Sequence, residues 1–279
     1  MEEKMENGWD SSKGRRWLKH IKEFEAMLEP VNRPLIDSII PEKCLRIAEI
    51  GSGSGASTFE VCKHAQEGSA VDGYDISPDL TKYANSRRYF HQNKVTPNFH
   101  QADAEIFKPD NLYDMIFSRF GIMFFENEEA AFSNLANWLT PGGAFCFFVW
   151  GNSENNPWIH KVKETISSYI EFPKPDADAP GPFRYSDSQK LVKILSNSGF
   201  NDIKTREWKG ELAVGGGMSA PEASEFVLKA FSAAVEVLEK ASNETKSKIF
   251  DHLCNSYSTH ESQGVVRMPS QAYLLTGKI

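Results

Sequence analysis

Apolar and polar positions along the chain follow two periods, and the change from one to the other marks the predicted elements. Between residues 16 and 40, apolar side chains recur at helical spacing, interrupted by Pro30 and Pro34, which predicts two N-terminal helices. Residues 45–50 form a short β-prone run that stops at a glycine-rich turn and precedes a helix-compatible stretch, residues 56–65. Strand, loop and helix therefore follow one another in this region.

The same unit recurs through the middle of the chain. Further strands are predicted at residues 70–74, 97–101, 113–118 and 144–150, with helices at residues 78–92 and 126–139. The last two strands are near-continuous apolar runs, as a parallel sheet covered on both faces requires. Strands that alternate with helices over about a hundred residues predict an α/β fold with a doubly wound parallel sheet.

Beyond residue 150 the periodicity weakens. The predicted elements are a helix at residues 157–171, a proline-rich loop at 173–182, a helix at 187–197, a strand at 202–212, helices at 220–239 and 243–257, and a last strand at 272–276. We interpret the two helices before the last strand as an insertion between the sixth and seventh strands.

Composition narrows the class of protein. The 279 residues are 40% hydrophobic, and no apolar stretch approaches the ~20 residues of a membrane span. The N-terminal residues carry charges throughout and lack the apolar core of a secretory signal, so we expect a cytoplasmic protein. A net charge of −7 removes the broad attraction to phosphate backbones, which favours a small-molecule substrate and not a nucleic acid. The sequence indicates no oligomeric state.

The glycine-rich turn after the first strand reads Glu49-Ile50-Gly51-Ser52-Gly53-Ser54-Gly55. Glycines at a strand–helix junction let the backbone turn sharply and approach a ligand closely, and the helix N-terminus offers N–H groups to an anionic group. The turn therefore predicts a nucleotide-like ligand. Because Gly51, Gly53 and Ala56 also satisfy the pattern Gly-x-Gly-x-x-Ala, the glycines alone leave a dinucleotide site open.

Three acidic residues distinguish between the possible ligands. Glu49 can reach the amino group of a zwitterionic ligand but would repel a pyrophosphate, which favours a cationic sulfonium amino acid. Asp75 ends the second strand and can accept both ribose hydroxyls, a role common to both ligand classes. Asp103 follows the third strand and can bind the exocyclic amine of adenine. Because a parallel sheet gathers these strand ends at one edge, we predict an S-adenosylmethionine site there.

Five motifs follow one another between residues 47 and 150: EIGSGSG, GYDIS, QADAE, YDMIFSRFGIMFF and LTPGGAFCFFVW. In order and spacing this stretch resembles the class I S-adenosylmethionine-dependent methyltransferases, particularly the ubiquinone/menaquinone C-methyltransferase-like branch. The resemblance implies that the glycine-rich turn binds the methionine part and that the later motifs hold ribose and adenine and line the cofactor. The cofactor-binding residues it implies are Glu49, Gly51, Ser52, Gly53, Gly55, Asp75, Ile76, Asp103, Ala104, Ser118, Arg119 and Phe120.

Pattern and resemblance together predict the complete architecture. We expect an α/β fold with a Rossmann-like, doubly wound, seven-stranded sheet, mostly parallel with an antiparallel last strand. An N-terminal helical lid over residues 1–40 would precede a methyltransferase domain over residues 41–279, with the helical insertion at about residues 218–260.

The sequence lacks motifs of several related methyltransferase families, which excludes some classes of acceptor and mechanism. After the fourth strand the chain reads Ser118-Arg119-Phe120-Gly121, not the Asn/Asp-Pro-Pro-Tyr of amino-directed DNA and protein glutamine methyltransferases. The Pro-Cys pair of a covalent cytosine-C5 mechanism and the pattern of metal-dependent catechol enzymes are missing as well, so we expect no metal. The spacing of the four cysteines argues against a disulfide framework or zinc site, and we interpret them as buried thiols: Cys44, Cys62, Cys146 and Cys254.

Methyl transfer from a sulfonium is a direct SN2 displacement, so the enzyme mainly aligns the nucleophile and excludes water. We assign no catalytic residue; the candidates for a general base are His20, His91, His160 and Tyr185. Apolar side chains near strand ends and at the N-terminus are candidates for a hydrophobic acceptor pocket, with core packing as the alternative. The predicted pocket residues are Trp9, Trp17, Met123, Trp150 and Trp158.

Three hypotheses from different classes remain at this point. The first is a methyltransferase that acts on a small hydrophobic or aromatic molecule. The second is an S-adenosylmethionine-binding protein without catalysis, which would normally have lost part of the cofactor set present here. The third is an NAD(P)-linked oxidoreductase, which would need a nicotinamide-side constellation such as Tyr-x-x-x-Lys, and the sequence lacks that spacing.

Overall fold

A computed structural model of the chain describes residues 8–9, 11–39, 45–88, 94–172, 176 and 178–279. Three short helices open the described part, α1 (Ser12–Lys19), α2 (Ile21–Met27) and α3 (Asn32–Ile39), where two were predicted. His20 has a non-helical backbone and separates α1 from α2, and a 3-10 turn that contains Pro30 separates α2 from α3. Pro34 lies in the first turn of α3, where proline is tolerated because that turn's N–H groups have no helical partner.

The main sheet has the predicted seven strands, in the order β3-β2-β1-β4-β5-β8-β6, and the last strand is antiparallel to both neighbours. A two-residue strand, β7, adds a short hairpin to the beginning of β8. The strand bounds are β1 (Arg46–Ile50), β2 (Ala70–Asp75), β3 (Asn98–Gln101), β4 (Tyr113–Arg119), β5 (Leu139–Trp150), β6 (Asn201–Ala213), β7 (Glu261–Ser262) and β8 (Val265–Lys278). The predicted α/β, Rossmann-like fold class is therefore confirmed.

Strands β5 and β8 are longer than the apolar runs that predicted them. The segment Pro141-Gly142-Gly143 was expected to form a loop after the preceding helix. It belongs instead to β5, whose pairing with β4 is irregular between Tyr113 and Met115. In β8 the additional residues, 265–271, extend beyond the carboxyl end of β5. Residues 267–271 pair there with β6 alone, and residues 265 and 266 pair with β7. Strands β6 and β8 therefore form a two-stranded ribbon past the sheet edge.

Eight further helices are described. They are α4 (Ala56–His64), α5 (Pro78–Arg87), α6 (Glu128–Ala136), α7 (Pro157–Ser167), α8 (Ser188–Asn197), α9 (Ala220–Ala230), α10 (Ser232–Glu239) and α11 (Asn243–Ser258). The single helix predicted over residues 220–239 is two helices, because Phe231 between them adopts an extended backbone. Helices α9 to α11 lie between β6 and β8, where the helical insertion was predicted.

Both faces of the sheet are covered, as the apolar strands require. Phe145 and Phe147 contact Phe200, which follows α8, and Phe147 also contacts Phe132 of α6. On the other face Arg206 of β6 donates hydrogen bonds to α3, at the Pro34 carbonyl and the Ser38 hydroxyl. The α2–α3 segment therefore lies over that second face.

Within the described part of the chain no helix is long and apolar enough to cross a membrane. Among the cysteines, Cys62 and Cys146 are free and buried, as predicted, and burial raises the pKa of each thiol to about 12. Cys254 is only half-buried because it lies near the surface of α11, which corrects the prediction for that residue. Cys44 and the start of the proline-rich loop, 173–175, lie outside the described residues.

Candidate active site

The carboxyl ends of β1, β2 and β3 are joined directly by backbone hydrogen bonds. The Tyr74 carbonyl accepts from the N–H groups of Gly51 (2.8 Å) and Ser52 (3.0 Å), and the Asp75 carbonyl accepts from Ala102 (2.9 Å). The glycine-rich turn, Asp75 and the segment before Asp103 therefore meet at one sheet edge, as the sequence predicts.

The three glycines of the turn all have positive φ, a conformation that L side chains rarely adopt. A Cβ on Gly51 would lie 2.8 Å from the Gly121 Cα, and one on Gly55 would enter the Phe99 ring. A Cβ on Gly53 would meet nothing within 4 Å. Gly51 and Gly55 are thus required for packing, whereas Gly53 presents its backbone to open space that a ligand can occupy.

Asp75 is held at the edge by two backbone donors. Gly53 N–H donates to its Oδ2 (2.7 Å) and Ser77 N–H to its Oδ1 (2.8 Å). Burial raises the pKa of this carboxyl, and the two N–H donors oppose the shift. Since each carboxylate oxygen can accept two hydrogen bonds, both retain capacity for a ligand's hydroxyl groups.

Glu49 is fully enclosed, which the sequence did not predict. Its Oε1 accepts from the Ser57 hydroxyl (2.5 Å) and its Oε2 from the Thr58 hydroxyl, both in the first turn of α4. Burial raises its pKa to about 7, and those hydroxyls and the positive Arg119 oppose the shift. The carboxyl therefore lies behind the glycine-rich turn, and direct contact with a ligand's amino group stays a prediction.

The third acid lies in a compact turn after β3. Asp103 Oδ1 accepts from Glu105 N–H (3.1 Å), and the neighbouring Ala104 is buried, its carbonyl accepting from Asn134 Nδ2 (2.9 Å). Ile76, next to Asp75, is half-buried. Binding of the adenine end of the cofactor by this turn and by Ile76 stays a prediction.

The end of β4 packs directly under the glycine-rich turn. Ser118 donates to the Ile50 carbonyl (2.7 Å) and accepts from Gly121 N–H (3.2 Å). Phe120 has φ 61°, in the left-handed region, and its ring stacks on Trp150 with centroids 3.9 Å apart. Backbone strain of this kind persists where the surroundings impose it and clusters at ligand sites.

Three residues of this site escaped the sequence analysis. Gly121 approaches Ile50 and Gly51 so closely that a Cβ would lie 2.8 Å from the Ile50 carbonyl oxygen. Its only sequence signal is a glycine two residues after a strand end. Asn32 accepts from Arg119 Nη1 (2.6 Å) and Glu25 accepts from the Ser54 hydroxyl (2.5 Å), and no local pattern marks either residue.

The N-terminal segment contacts this edge at several points. Gly14 of α1 fits against Ser77, where a Cβ would overlap the Ser77 hydroxyl. Glu25 of α2 joins the turn to α5, because Arg87 donates both to Glu25 and to the Ser54 carbonyl (3.2 Å). Burial lowers the pKa of Arg119, with Glu49 and Glu25 opposing, and Asn32 of α3 accepts from its guanidinium.

Most of the predicted pocket residues belong to one aromatic array. Trp150 contacts Trp158 at 5.1 Å between ring centroids, and Phe231 links Trp158 to Phe24 of α2. Trp17 stacks on Phe24 at 3.6 Å, and Trp9 lies edge-on to Trp17 at 5.9 Å. We call this set, with Phe120, the aromatic array; its members are Trp9, Trp17, Phe24, Phe120, Trp150, Trp158 and Phe231. Met123 is fully buried, and its carbonyl accepts from Gly181 N–H (3.0 Å) outside that array.

The candidate bases are scattered. Tyr185 is fully buried and donates to Glu128 Oε2 (2.9 Å) beside α6, where burial raises its pKa, so it serves the core. His160 lies two residues after Trp158, about 200° around α7 from it, on a different face. His20 contacts the Phe226 ring at the α1–α2 junction, where burial lowers its pKa. His91 lies outside the described residues.

No group of three or more His, Cys, Asp or Glu residues that could hold a metal ion occurs among the residues the structure describes.

Comparison with known proteins agrees with this geometry. Residues 48–147 match the family model of a methyltransferase domain. A malonyl-[acyl-carrier protein] O-methyltransferase of Ilyobacter polytropus is 31% identical over 156 residues, which cover 56% of this chain and 55% of that protein. The chain thus spans about half the length of this relative.

Two solved structures share the fold. The YcgJ protein of Bacillus subtilis superposes with a TM-score of 0.58 at 15% identity, covering 90% of this chain and 98% of that one. The phosphoethanolamine N-methyltransferase 2 of Haemonchus contortus, solved with S-adenosyl-L-methionine, superposes with a TM-score of 0.52 at 17% identity, covering 98% of this chain and 59% of that one. Residues 48–147 therefore match a methyltransferase domain in sequence, and the two solved structures share the fold of the chain.

Proposed function

We propose that this protein catalyses S-adenosylmethionine-dependent methyl transfer to a small hydrophobic or aromatic molecule. The observation that carries the proposal is the sheet edge itself. Gly53 offers an open backbone surface, and Asp75, oriented by the N–H groups of Gly53 and Ser77, keeps acceptor capacity for ribose hydroxyls. The finer assignment to a ubiquinone/menaquinone-like branch belongs to this proposal as well.

Different residues at this sheet edge would bind different parts of the cofactor. The glycine-rich turn, including Ser52 and Gly55, would hold the methionine part. Asp75 and Ile76 would hold the ribose and adenine, and Asp103 with Ala104 the adenine. Ser118, Arg119 and Phe120 would close the site from β4, since Phe120 stacks on Trp150 at its rim. The bound cofactor supplies an electrophilic methyl group on a sulfonium.

The protein's part in the reaction is alignment and exclusion of water. In a direct displacement the methyl group would pass from the sulfur to the acceptor's nucleophile, so the residues of this chain would have to hold donor and acceptor in line and keep water out. The aromatic array and the N-terminal helices would cover this reaction from the solvent as a lid. Of the candidate bases that the structure describes, Tyr185 donates to Glu128 and His160 lies on a different face of α7 from Trp158, which supports a mechanism governed by positioning.

Two alternatives remain testable. A dinucleotide site is disfavoured because the family match is to a methyltransferase domain. Calorimetric titration with S-adenosylhomocysteine, NADH and NADPH separates the cofactors: we expect micromolar binding of the first alone. An acceptor screen with methyl-labelled cofactor should include malonyl carrier protein and phosphoethanolamine, the acceptors in the names of similar proteins. Cofactor binding without transfer to any acceptor would favour the non-catalytic alternative.

Asp75→Ala tests the cofactor site at one residue. We expect S-adenosylhomocysteine to bind at least tenfold more weakly, about 1.4 kcal/mol, because charge-assisted hydrogen bonds to the ribose are lost. Calorimetry measures the change, and Asp110→Ala, at an exposed acid, is the matched control and should bind normally. Unchanged affinity in a folded Asp75→Ala variant would remove Asp75 from the site.

A further inference from the structure

Arg119, at the carboxyl end of β4, carries a positive charge that no contact with a carboxylate neutralises. The residue is half-buried, and within the described part of the chain its guanidinium donates to Asn32 Oδ1 (2.6 Å), a neutral acceptor. No carboxylate among the described residues forms an ion pair with it. Because arginine stays ionised and offers five N–H donors, most of its donor capacity is left for a group outside the protein.

The register of the strands fixes where this side chain lies. Glu49 of β1 is opposite Phe117 of β4, and Arg119 follows two residues later, so it points to the same face of the sheet about 7 Å nearer the carboxyl edge. The preceding residue, Ser118, donates to the Ile50 carbonyl (2.7 Å) and so holds this part of β4 against the beginning of the glycine-rich turn. Arg119 therefore extends from beside that turn, on the face that carries Glu49.

The two acids that attract Arg119 have other partners. Glu25 forms an ion pair with Arg87, so its charge is already compensated. Glu49 accepts from two hydroxyls of α4, and burial raises its pKa to about 7, so only about half of these carboxyls are ionised at neutral pH. The positive charge of Arg119 is therefore not balanced by the nearby acids, which favours an anionic group on the ligand.

One group of the expected ligand fits this charge. The carboxylate of the methionine part is the only anionic group of S-adenosylmethionine, and the glycine-rich turn is where that part is expected. The ammonium and sulfonium groups are positive, so they suit Glu49 and would be repelled by Arg119. Guanidinium and carboxylate also match in shape, because two parallel N–H groups of an arginine can donate to the two carboxylate oxygens.

We propose that Arg119 binds the carboxylate of S-adenosylmethionine and that Asn32 orients the guanidinium for this contact. The inference rests on the proposed methyltransferase function and adds the residue that distinguishes the complete cofactor from nucleosides without a carboxylate. Arg119 and Glu49, with opposite charges on one face of the sheet, would together recognise the zwitterionic amino acid. Because Asn32 belongs to α3, the N-terminal helices would take part in this recognition.

Calorimetric titration of the full chain with two ligands tests the contact. They are S-adenosylhomocysteine and its decarboxylated counterpart, 5′-deoxy-5′-(3-aminopropylthio)adenosine, which keeps the adenine, the ribose and the amine. We expect the unmodified chain to bind S-adenosylhomocysteine about tenfold more tightly, the effect of a charge-assisted contact. Arg119→Gln should weaken S-adenosylhomocysteine about tenfold and leave the decarboxylated ligand unchanged, so that both bind alike. Arg119→Lys keeps the charge without the planar fork and should retain part of the preference.

Asn32→Asp tests the same contact with Arg119 in place. The new carboxylate would take the position of the Asn32 oxygen, 2.6 Å from the Arg119 Nη1, and would compete with the carboxylate of the ligand. We expect this variant also to lose the preference for S-adenosylhomocysteine. Arg33→Gln is the matched control, because Arg33 is the next residue of α3 and its exposed side chain pairs with Asp37 (2.8 Å). This control should keep the preference.

Two results would overturn the inference. Equal binding of the two ligands by the unmodified chain would mean that no group in the site recognises the carboxylate. If Arg119→Gln keeps the preference, with both ligands unchanged or weakened by the same factor, another donor holds the carboxylate. Should that variant not fold, Arg119→Lys and Asn32→Asp provide the same comparison. Failure of S-adenosylhomocysteine to bind the unmodified chain contradicts the proposed function itself, so the two failures are distinguishable.

Discussion

At the scale of single residues, the carboxyl of Glu49 is fully buried behind the glycine-rich turn. Its pKa of about 7 lies well above the ordinary glutamate value because burial penalises the charge. The shift makes the folded state most favoured below pH about 4.5, and this contribution is lost as the pH rises through 7. Near neutral pH about half of the Glu49 carboxyls are therefore ionised, and a nearby positive charge would increase that fraction.

We expect S-adenosylmethionine, which carries sulfonium and ammonium charges, to stabilise the carboxylate form of Glu49. Binding at pH 7 should then release a fraction of a proton, and the affinity should increase between pH 6 and 8. Calorimetry in two buffers of different ionisation enthalpy measures the release. Glu49→Gln is the control, and a variant that still releases the same fraction would show that another group is responsible.

Gly121 is a second determinant at this scale. Gly121→Ala should weaken S-adenosylhomocysteine binding and destabilise the fold by about 1–3 kcal/mol, because the new methyl group overlaps the Ile50 carbonyl and crowds the Ser118 hydroxyl. Denaturant unfolding and calorimetry measure the two effects. Gly181→Ala, whose Cβ would find its nearest atom 3.9 Å away, should behave like the unmodified chain. Equal behaviour of the two variants would contradict the close packing of the β1 and β4 ends.

At the scale of elements, the N-terminal helices are joined to the cofactor edge by polar contacts and not only by apolar packing. Arg87 and Glu25 form an ion pair in which both side chains are roughly four-fifths buried, and Ser54 of the glycine-rich turn donates to the same carboxylate. Arg16 of α1 also donates to Ser232 of α10 (2.7 Å). The N-terminal helices, interpreted as a lid, are thus linked to the glycine-rich turn by Glu25 and to the helical insertion by Arg16.

Glu25→Gln tests whether the segment and the turn act together. We expect S-adenosylhomocysteine to bind roughly fivefold more weakly. The Arg87 guanidinium loses the opposite charge of Glu25, although it keeps the Ser54 carbonyl, and the polar link between α2 and the turn weakens. Amide exchange in α1 and α2 should become faster in the same variant. Glu29→Gln, at an exposed acid of the adjoining 3-10 turn, is the matched control. If Glu25→Gln and Glu29→Gln bind S-adenosylhomocysteine equally well, the Glu25–Arg87 contact only stabilises the N-terminal helices and does not contribute to the site.

At the scale of the whole molecule, ligand binding should stabilise two distant parts of the chain together. S-adenosylhomocysteine at a hundredfold excess over its Kd adds about 2.7 kcal/mol, which should raise the Tm by roughly 5–10 °C. NADH should leave the Tm unchanged. Hydrogen exchange should slow both in the glycine-rich turn and in α2, which the Glu25 contacts connect. Protection of the turn alone would argue against a lid.

Much of the architecture was predictable because it depends on local pattern. The near-continuous apolar runs of β4 and β5 and the strand–turn–helix unit around the glycine-rich turn are short-range signals, and they predicted the parallel sheet and the edge with Asp75 and Asp103. The extension of β8 past β5 was missed, because residues 265–271 carry no apolar alternation strong enough to predict a strand. They are ordered by pairing with β6 over residues 267–271 and with β7 over residues 265 and 266.

The sequence by itself therefore determined the fold class and the glycine-rich, acidic character of the sheet edge at Asp75, since glycine conformation and strand periodicity are properties of the chain's own backbone and side chains. Only the tertiary structure decided which groups meet there. The close approach of Gly121 to Ile50 and the Glu25–Arg87 link join residues distant along the chain, and the enclosure of Glu49 by Ser57 and Thr58 depends on how α4 lies against β1. Such contacts depend on how elements pack in space, and local sequence carries no record of that packing.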